Sequence, residues 1–129
     1  MVTDPVPENA PPTPPRLLVV EDEEGVRTLM RRALRDYDVV EIDDAEGALD
    51  LMMAGSVDLV ITDIALPRMD GCALMARIHD RWPDVPVIAI SGYVGDRDVE
   101  EFAFDGFLHK PIDLQQLRST VASLLRGVA

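Results

Sequence analysis

Cysteine and positive charge are both scarce in this chain, and each shortage removes a class of protein. One cysteine, Cys72, in 129 residues allows neither an intramolecular disulfide nor a cysteine-rich zinc site. No apolar run approaches the ~18–20 residues of a bilayer-spanning helix. The first fifteen residues lack both a basic start and an apolar stretch, which argues against a secretory signal. Positive charge is also short: 12 Lys plus Arg face 24 Asp plus Glu, a formal net charge of −12. Phosphate backbones and anionic membranes recruit clustered cations, so this balance disfavours nucleic acid and membrane surfaces. A soluble, cytoplasmic protein is the expectation.

An apolar share of 47% is enough for a core, and the length suits one domain. Of the twelve cationic side chains eleven are Arg, and Lys110 is the single Lys. A compact ammonium kept among planar guanidiniums raises the question of a special role at that position.

Six of the ten prolines lie in the first fifteen residues, so 1–15 reads as an extended, disordered leader and 16–129 as the domain. From Arg16 onward, short aliphatic runs at 17–20, 39–42, 59–61, 85–90 and 107–108 alternate with helically spaced stretches at 25–35, 46–54, 71–81, 98–104 and 113–125. Strands separated by single helices predict an α/β fold, a doubly wound five-stranded parallel sheet with helices on both faces. Asp98-Val-Glu-Glu101 and Asp113-Leu-Gln-Gln116 have the form of capping boxes, and Gly55 and Gly127 stand where helices should stop.

Ligands of such sheets bind beyond the carboxyl ends of the strands. Those ends carry Glu21-Asp22-Glu23-Glu24, Thr62-Asp63, Ser91-Gly92 and His109-Lys110-Pro111. Clustered carboxylates repel unless a cation joins them, and hard oxygen donors suit Mg²⁺. A hydroxyl and an ammonium facing the same spot suit an anion with several oxygens. Together they describe phosphoryl transfer to an aspartate. Glu23 and Glu24 read more simply as solvated acids in the first turn of a helix, and Asp70 as a helix cap.

The segments Leu18-Val-Val-Glu-Asp-Glu23, Asp58-Leu-Val-Ile-Thr-Asp-Ile-Ala-Leu-Pro-Arg-Met-Asp-Gly71, Val87-Ile-Ala-Ile-Ser-Gly92 and Phe107-Leu-His-Lys-Pro111 resemble the receiver domain of two-component response regulators. The resemblance implies the flavodoxin-like strand order 2-1-3-4-5. It implies that Asp63 accepts a phosphoryl group from a histidine kinase or histidine phosphotransfer protein. Asp22 and Asp63 then ligate Mg²⁺ directly, Glu21 acts mainly through water, and the backbone carbonyl of Ala65 completes the protein ligands. Lys110 and Ser91 contact phosphoryl oxygens, Ser91 and Phe107 form the switch, and the Lys110–Pro111 bond is a candidate cis peptide. Ala65 and Tyr93 flank the path of the hydrolytic water.

The chemistry implied is confined to the protein's own Mg²⁺-dependent phosphorylation and dephosphorylation, so it is not an enzyme acting on a released substrate. Ser91 and Lys110 are a few positions closer in sequence than the family pattern, which predicts a shortened fourth helix and disfavours the usual dimer. The chain ends soon after its last helix, so a single-domain regulator with a possible downstream protein target is expected, or a receiver cut from a hybrid kinase. The rival is a phosphorylation-independent interaction module on the same scaffold. A haloacid-dehalogenase-like phosphatase would want a second aspartate at position 65, and a flavodoxin-like cofactor protein a Ser/Thr/Gly-rich loop in place of four acids.

Among the remaining candidates, Cys72 reads as a small buried residue, His79 as a solvated helix residue, His109 as a poor metal ligand and Trp82 as a packing residue. Val26, Leu29, Met30 and Ala33 have helical spacing, at least half of them for the core and the rest for a kinase or phosphotransfer helix.

Overall fold

The computed structural model describes residues 14–92 and 104–127. Five strands, β1 (Arg16–Val20), β2 (Asp38–Ile42), β3 (Leu59–Asp63), β4 (Val87–Ser91) and β5 (Gly106–His109), form one all-parallel sheet in the order 2-1-3-4-5. Four helices among the described residues, α1 (Glu24–Ala33), α2 (Ala45–Ala54), α3 (Gly71–Arg81) and α4 (Leu114–Leu125), cover its two faces.

Strand periodicity sorts the core into two layers. Leu17, Val19, Leu59, Ile61, Ile88 and Ile90 pack with Met30 and Leu34 from the α1 side and with Leu117 and Val121 of α4. Their neighbours Leu18, Val20, Val60 and Val87 pack with Ala48 and Met52 of α2 and with Leu74 and Ile78 of α3. Every residue of β3 and β4 is buried, which is why those segments are almost free of polar side chains until their carboxyl ends.

The helix caps follow from local chemistry. Asp70 Oδ1 accepts from the Ala73 N–H at 2.8 Å, and Asp113 Oδ1 accepts from Gln115 and Gln116 N–H groups at 2.9 and 3.1 Å. Gly127 takes φ 75°, as a glycine that ends a helix does, whereas Gly55 is extended at φ −157°, so nothing about its backbone calls for glycine. α1 ends at Ala33, two residues before the expected limit, with Leu34 as its C-cap. There the Arg118 guanidinium donates to the Ala33 carbonyl and, at 3.0 Å, to Asp36, tying α4 to the C-terminal end of α1.

The ladder extends one residue ahead of β1, since the Pro15 carbonyl accepts from the Asp38 N–H at 3.0 Å. Residues 1–13 of the expected leader, residues 98–103 of the expected, shortened fourth helix with its capping box, and Tyr93 lie outside the described residues, while Phe104, the last residue of that expected helix, is described and is not helical. No helix among the described residues is long and apolar enough to cross a membrane.

Candidate functional site

Three parallel strands end side by side at one rim. Val20 pairs with Thr62 and Asp63 with Ile90, so the residues that leave β1, β3 and β4 there are Glu21, Asp63 and Ser91. Glu21 is fully buried, Asp63 is 4% exposed and Ser91 2% exposed, while Asp22 faces solvent. β5 delivers the fourth component: the Lys110 N–H donates to the Ser91 carbonyl at 2.8 Å, and the following Pro111 bond is cis.

The Lys110 ammonium donates to Asp63 Oδ2 at 2.7 Å and lies 2.9 Å from Glu21 Oε1 and 3.3 Å from Glu23 Oε1. Glu21 Oε2 accepts from the Glu23 N–H at 3.0 Å, but the buried Oε1 has only the ion-pair contact and no well-angled hydrogen bond. Burial pushes the Glu21 carboxyl up to about 7, against the Glu23 N–H and the ammonium, with the neighbouring Asp63 charge adding to the rise. Burial opposes the charge on Lys110 too, but its contacts with Asp63 and Glu21 prevail and hold it above its ordinary value.

The loop after β3 is built around the Asp63 main chain. Asp63 Oδ1 accepts from the Ala65 N–H at 2.9 Å, and the Thr62 hydroxyl donates to the Asp63 carbonyl at 3.0 Å. The chain then turns through Arg68, whose φ of 67° is left-handed, and returns so that the Gly71 N–H donates to the Ile64 carbonyl at 2.8 Å. A Cβ at Gly71 would collide with the Asp63 carbonyl oxygen, so only glycine permits this approach.

Glu21, Asp22 and Asp63 each offer an oxygen within 4.8 Å of the others. Hard, anionic and close together, with an under-satisfied buried Oε1 among them, these donors fit a divalent cation such as Mg²⁺. Phe107 is half-buried in a small cluster with Ile64, Cys72 and Ala89, edge-on to His109 at 4.6 Å between ring centroids. Cys72 is buried as expected, and Asp70 caps α3 without joining the site.

His79, expected in solvent, is half-buried and lies 3.3 Å from Asp105 Oδ2. Of the helical four, Met30 and Ala33 are buried and Leu29 is 50% exposed. Two contacts escaped the sequence reading. Glu23 is solvated as expected but also reaches the lysine at 3.3 Å, and Arg27 Nη1 donates to the Glu21 carbonyl at 2.7 Å. Only the placement of Arg27 one turn into the helix after β1 hinted at the latter.

An open 2-1-3-4-5 sheet whose carboxyl rim gathers three carboxylates, a hydroxyl and a lysine defines a receiver-type signalling domain. The chain belongs to the response regulator receiver domain family, whose family model matches residues 17–122. It is 40% identical over 116 residues to the sensor kinase CckA of Brucella abortus, covering 84% of this chain and 12% of the kinase. With the response regulator MprA of Mycolicibacterium vanbaalenii it shares 32% identity over 118 residues, covering 88% of this chain and 51% of that protein. The chain thus spans about an eighth to a half of these relatives. Among solved structures, the signal receiver domain of an HD domain-containing protein from Pseudomonas fluorescens superposes with a TM-score of 0.85 at 29% identity, covering 95% of this chain and 94% of that one. The receiver domain of a signal transduction histidine kinase from Syntrophus aciditrophicus gives 0.81 at 29% identity, covering 88% and 92%.

Proposed function

We propose that this protein receives a phosphoryl group on Asp63 from a phosphohistidine of a histidine kinase or phosphotransfer protein, and relays or signals through the resulting change of shape. The observation that carries this reading is the 2.7 Å contact of Lys110 Nζ with Asp63 Oδ2 inside a cluster of three carboxylates. A carboxylate oxygen of Asp63 attacks phosphorus, the P–N bond breaks, and its electron pair leaves with the imidazole. Lys110 and Ser91 accompany the charge on the transferred oxygens, so positioning and neutralisation supply the rate.

Asp22 and Asp63, with the Ala65 carbonyl and with Glu21 through water, are the residues to hold Mg²⁺. When bound, the ion neutralises carboxylate and phosphoryl charge. Lys110, which the acids hold in place beforehand, then exchanges carboxylate partners for phosphoryl oxygen. Ser91 and Phe107 form the switch, the ring packing beside the site against Ile64, Cys72 and Ala89.

A groove of about 430 Å³ beside the site, lined by Glu23, Val26, Leu29, Lys110, Pro111 and Ile112, suits an apolar-faced partner helix. The similarity to part of a sensor kinase supports a relay role. Incubation with Mg²⁺ and acetyl phosphate, followed by intact mass, tests the chemistry. The native chain should gain one phosphate and Asp63→Ala none. No gain in the native chain, or an undiminished gain in the variant, overturns the reading.

A further inference from the structure

Asp22 is the cluster carboxylate least constrained by its own contacts: it is exposed, and its side chain makes no hydrogen bond among the described residues. The backbone that carries it sets only the position and direction of its Cα–Cβ bond, and with them the region its staggered side-chain torsions can reach. That backbone includes the Glu21–Asp22 peptide unit, a rigid plane whose carbonyl belongs to Glu21. Turning this carbonyl turns the amide of Asp22 with it.

The Glu21 carbonyl is held by one side chain. Arg27 Nη1 donates to it at 2.7 Å from a half-buried position on α1. The Arg27 main-chain N–H meanwhile donates to the Glu23 carbonyl at 3.1 Å, so a single residue grips the acidic turn at both ends. Two further bonds complete the frame: the Glu21 N–H donates to the Ile42 carbonyl at 3.0 Å, and the Glu23 N–H donates to Glu21 Oε2 at 3.0 Å. Of these four bonds only the guanidinium bond is charge-assisted at its donor, and it is the shortest.

We propose that Arg27 is a positioning residue for the cation centre, fixing the Glu21–Asp22 peptide so that Asp22 stays aimed at Asp63. The fixed positive charge also remains beside the acidic turn when Lys110 turns to a phosphoryl group. The inference rests on the assignment of Glu21, Asp22 and Asp63 as a Mg²⁺ centre. It adds a residue that touches neither the ion nor the phosphoryl group.

Calorimetric titration of the full chain with MgCl₂ tests it, in the native protein, Arg27→Gln, Arg27→Lys and Arg32→Gln, the last an exposed arginine on the same helix. Loss of a group that orients a metal ligand weakens binding about 10-fold or more, and Arg27→Gln should show this. Arg27→Lys, which keeps the charge but not the planar fork, should recover only part of that loss and stay measurably weaker than Arg32→Gln, which should match the native chain. Circular dichroism establishes that each variant is folded. If Arg27→Gln does not fold, Arg27→Lys decides: weaker Mg²⁺ binding than in Arg32→Gln supports the role, and equal binding overturns it. Folded Arg27→Gln with the affinity of Arg32→Gln overturns the inference alone. A native chain that binds no Mg²⁺ overturns the metal centre and this inference together.

Discussion

Lys110 Nζ lies 2.7 Å from Asp63 Oδ2 and joins two strands that are not neighbours in the sheet, since β4 runs between β3 and β5. The Lys110 side chain is 20% exposed and the Asp63 side chain 6%, so the pair is screened less than a surface ion pair. Removing the cation leaves Glu21 and Asp63 facing each other with no balancing charge.

Lys110→Ala should therefore destabilise the metal-free protein by about 2 kcal/mol, less than a fully buried pair would lose because the ammonium keeps contact with water. Urea unfolding in chelator at pH 8 measures this. Added Mg²⁺ should narrow the gap between variant and native protein, and an unchanged gap would falsify the idea that lysine and cation neutralise the same acids.

Glu21 gives the metal-free protein a pH dependence of known sign. Its pKa is about 7 in the folded chain against an ordinary 4.5, so between these values the folded state binds more protons than the unfolded state. Stability from this group is fully present below pH 4.5 and is lost as pH rises through about 7. Urea midpoints in chelator should fall across that window in the native chain, and Glu21→Gln should flatten this part of the curve. A native and a variant curve with the same slope would remove Glu21 as the cause.

The β3–α3 loop contains one position that must lack a Cβ and one that is strained by having one. Gly71→Ala should cost about 2–3 kcal/mol, because the Asp63 carbonyl must move to make room. Arg68→Gly should gain about 0.5–1 kcal/mol by relieving the left-handed backbone, less the added freedom of the unfolded chain. Denaturant unfolding of both variants checks the pair, and opposite signs are the expected result.

Asp70→Ala removes the cap from α3 and should cost about 1 kcal/mol. Because Asp70 lies outside the carboxylate cluster, the Mg²⁺ affinity of this variant should equal that of the native chain. A weakened affinity would mean that Asp70 takes part in holding the ion.

Much of the architecture was legible in residue order. The strand-then-helix rhythm required a parallel sheet, because a parallel connection needs a crossover. The caps at Asp70 and Asp113 were readable because capping is local, a side chain bonding an N–H two or three positions on. Element ends were less so. α1 stops at Ala33, where the chain turns toward Tyr37 and Arg118 arrives from far along the sequence, and no local signal encodes that arrival.

The site divides the same way. Sequence alone marked Glu21, Asp22, Asp63, Ser91 and Lys110, because chemistry-bearing residues stood where apolar strands broke off and because only one lysine was kept. It also determined the acidic balance that disfavours nucleic acid. Tertiary structure alone decided which acid is buried and raised in pKa, that Glu23 shares the lysine, and that Arg27 holds the Glu21 carbonyl. Residue types can be read one by one along a chain. Burial and electrostatics depend on neighbours that only the folded sheet and its helices bring within a few ångströms.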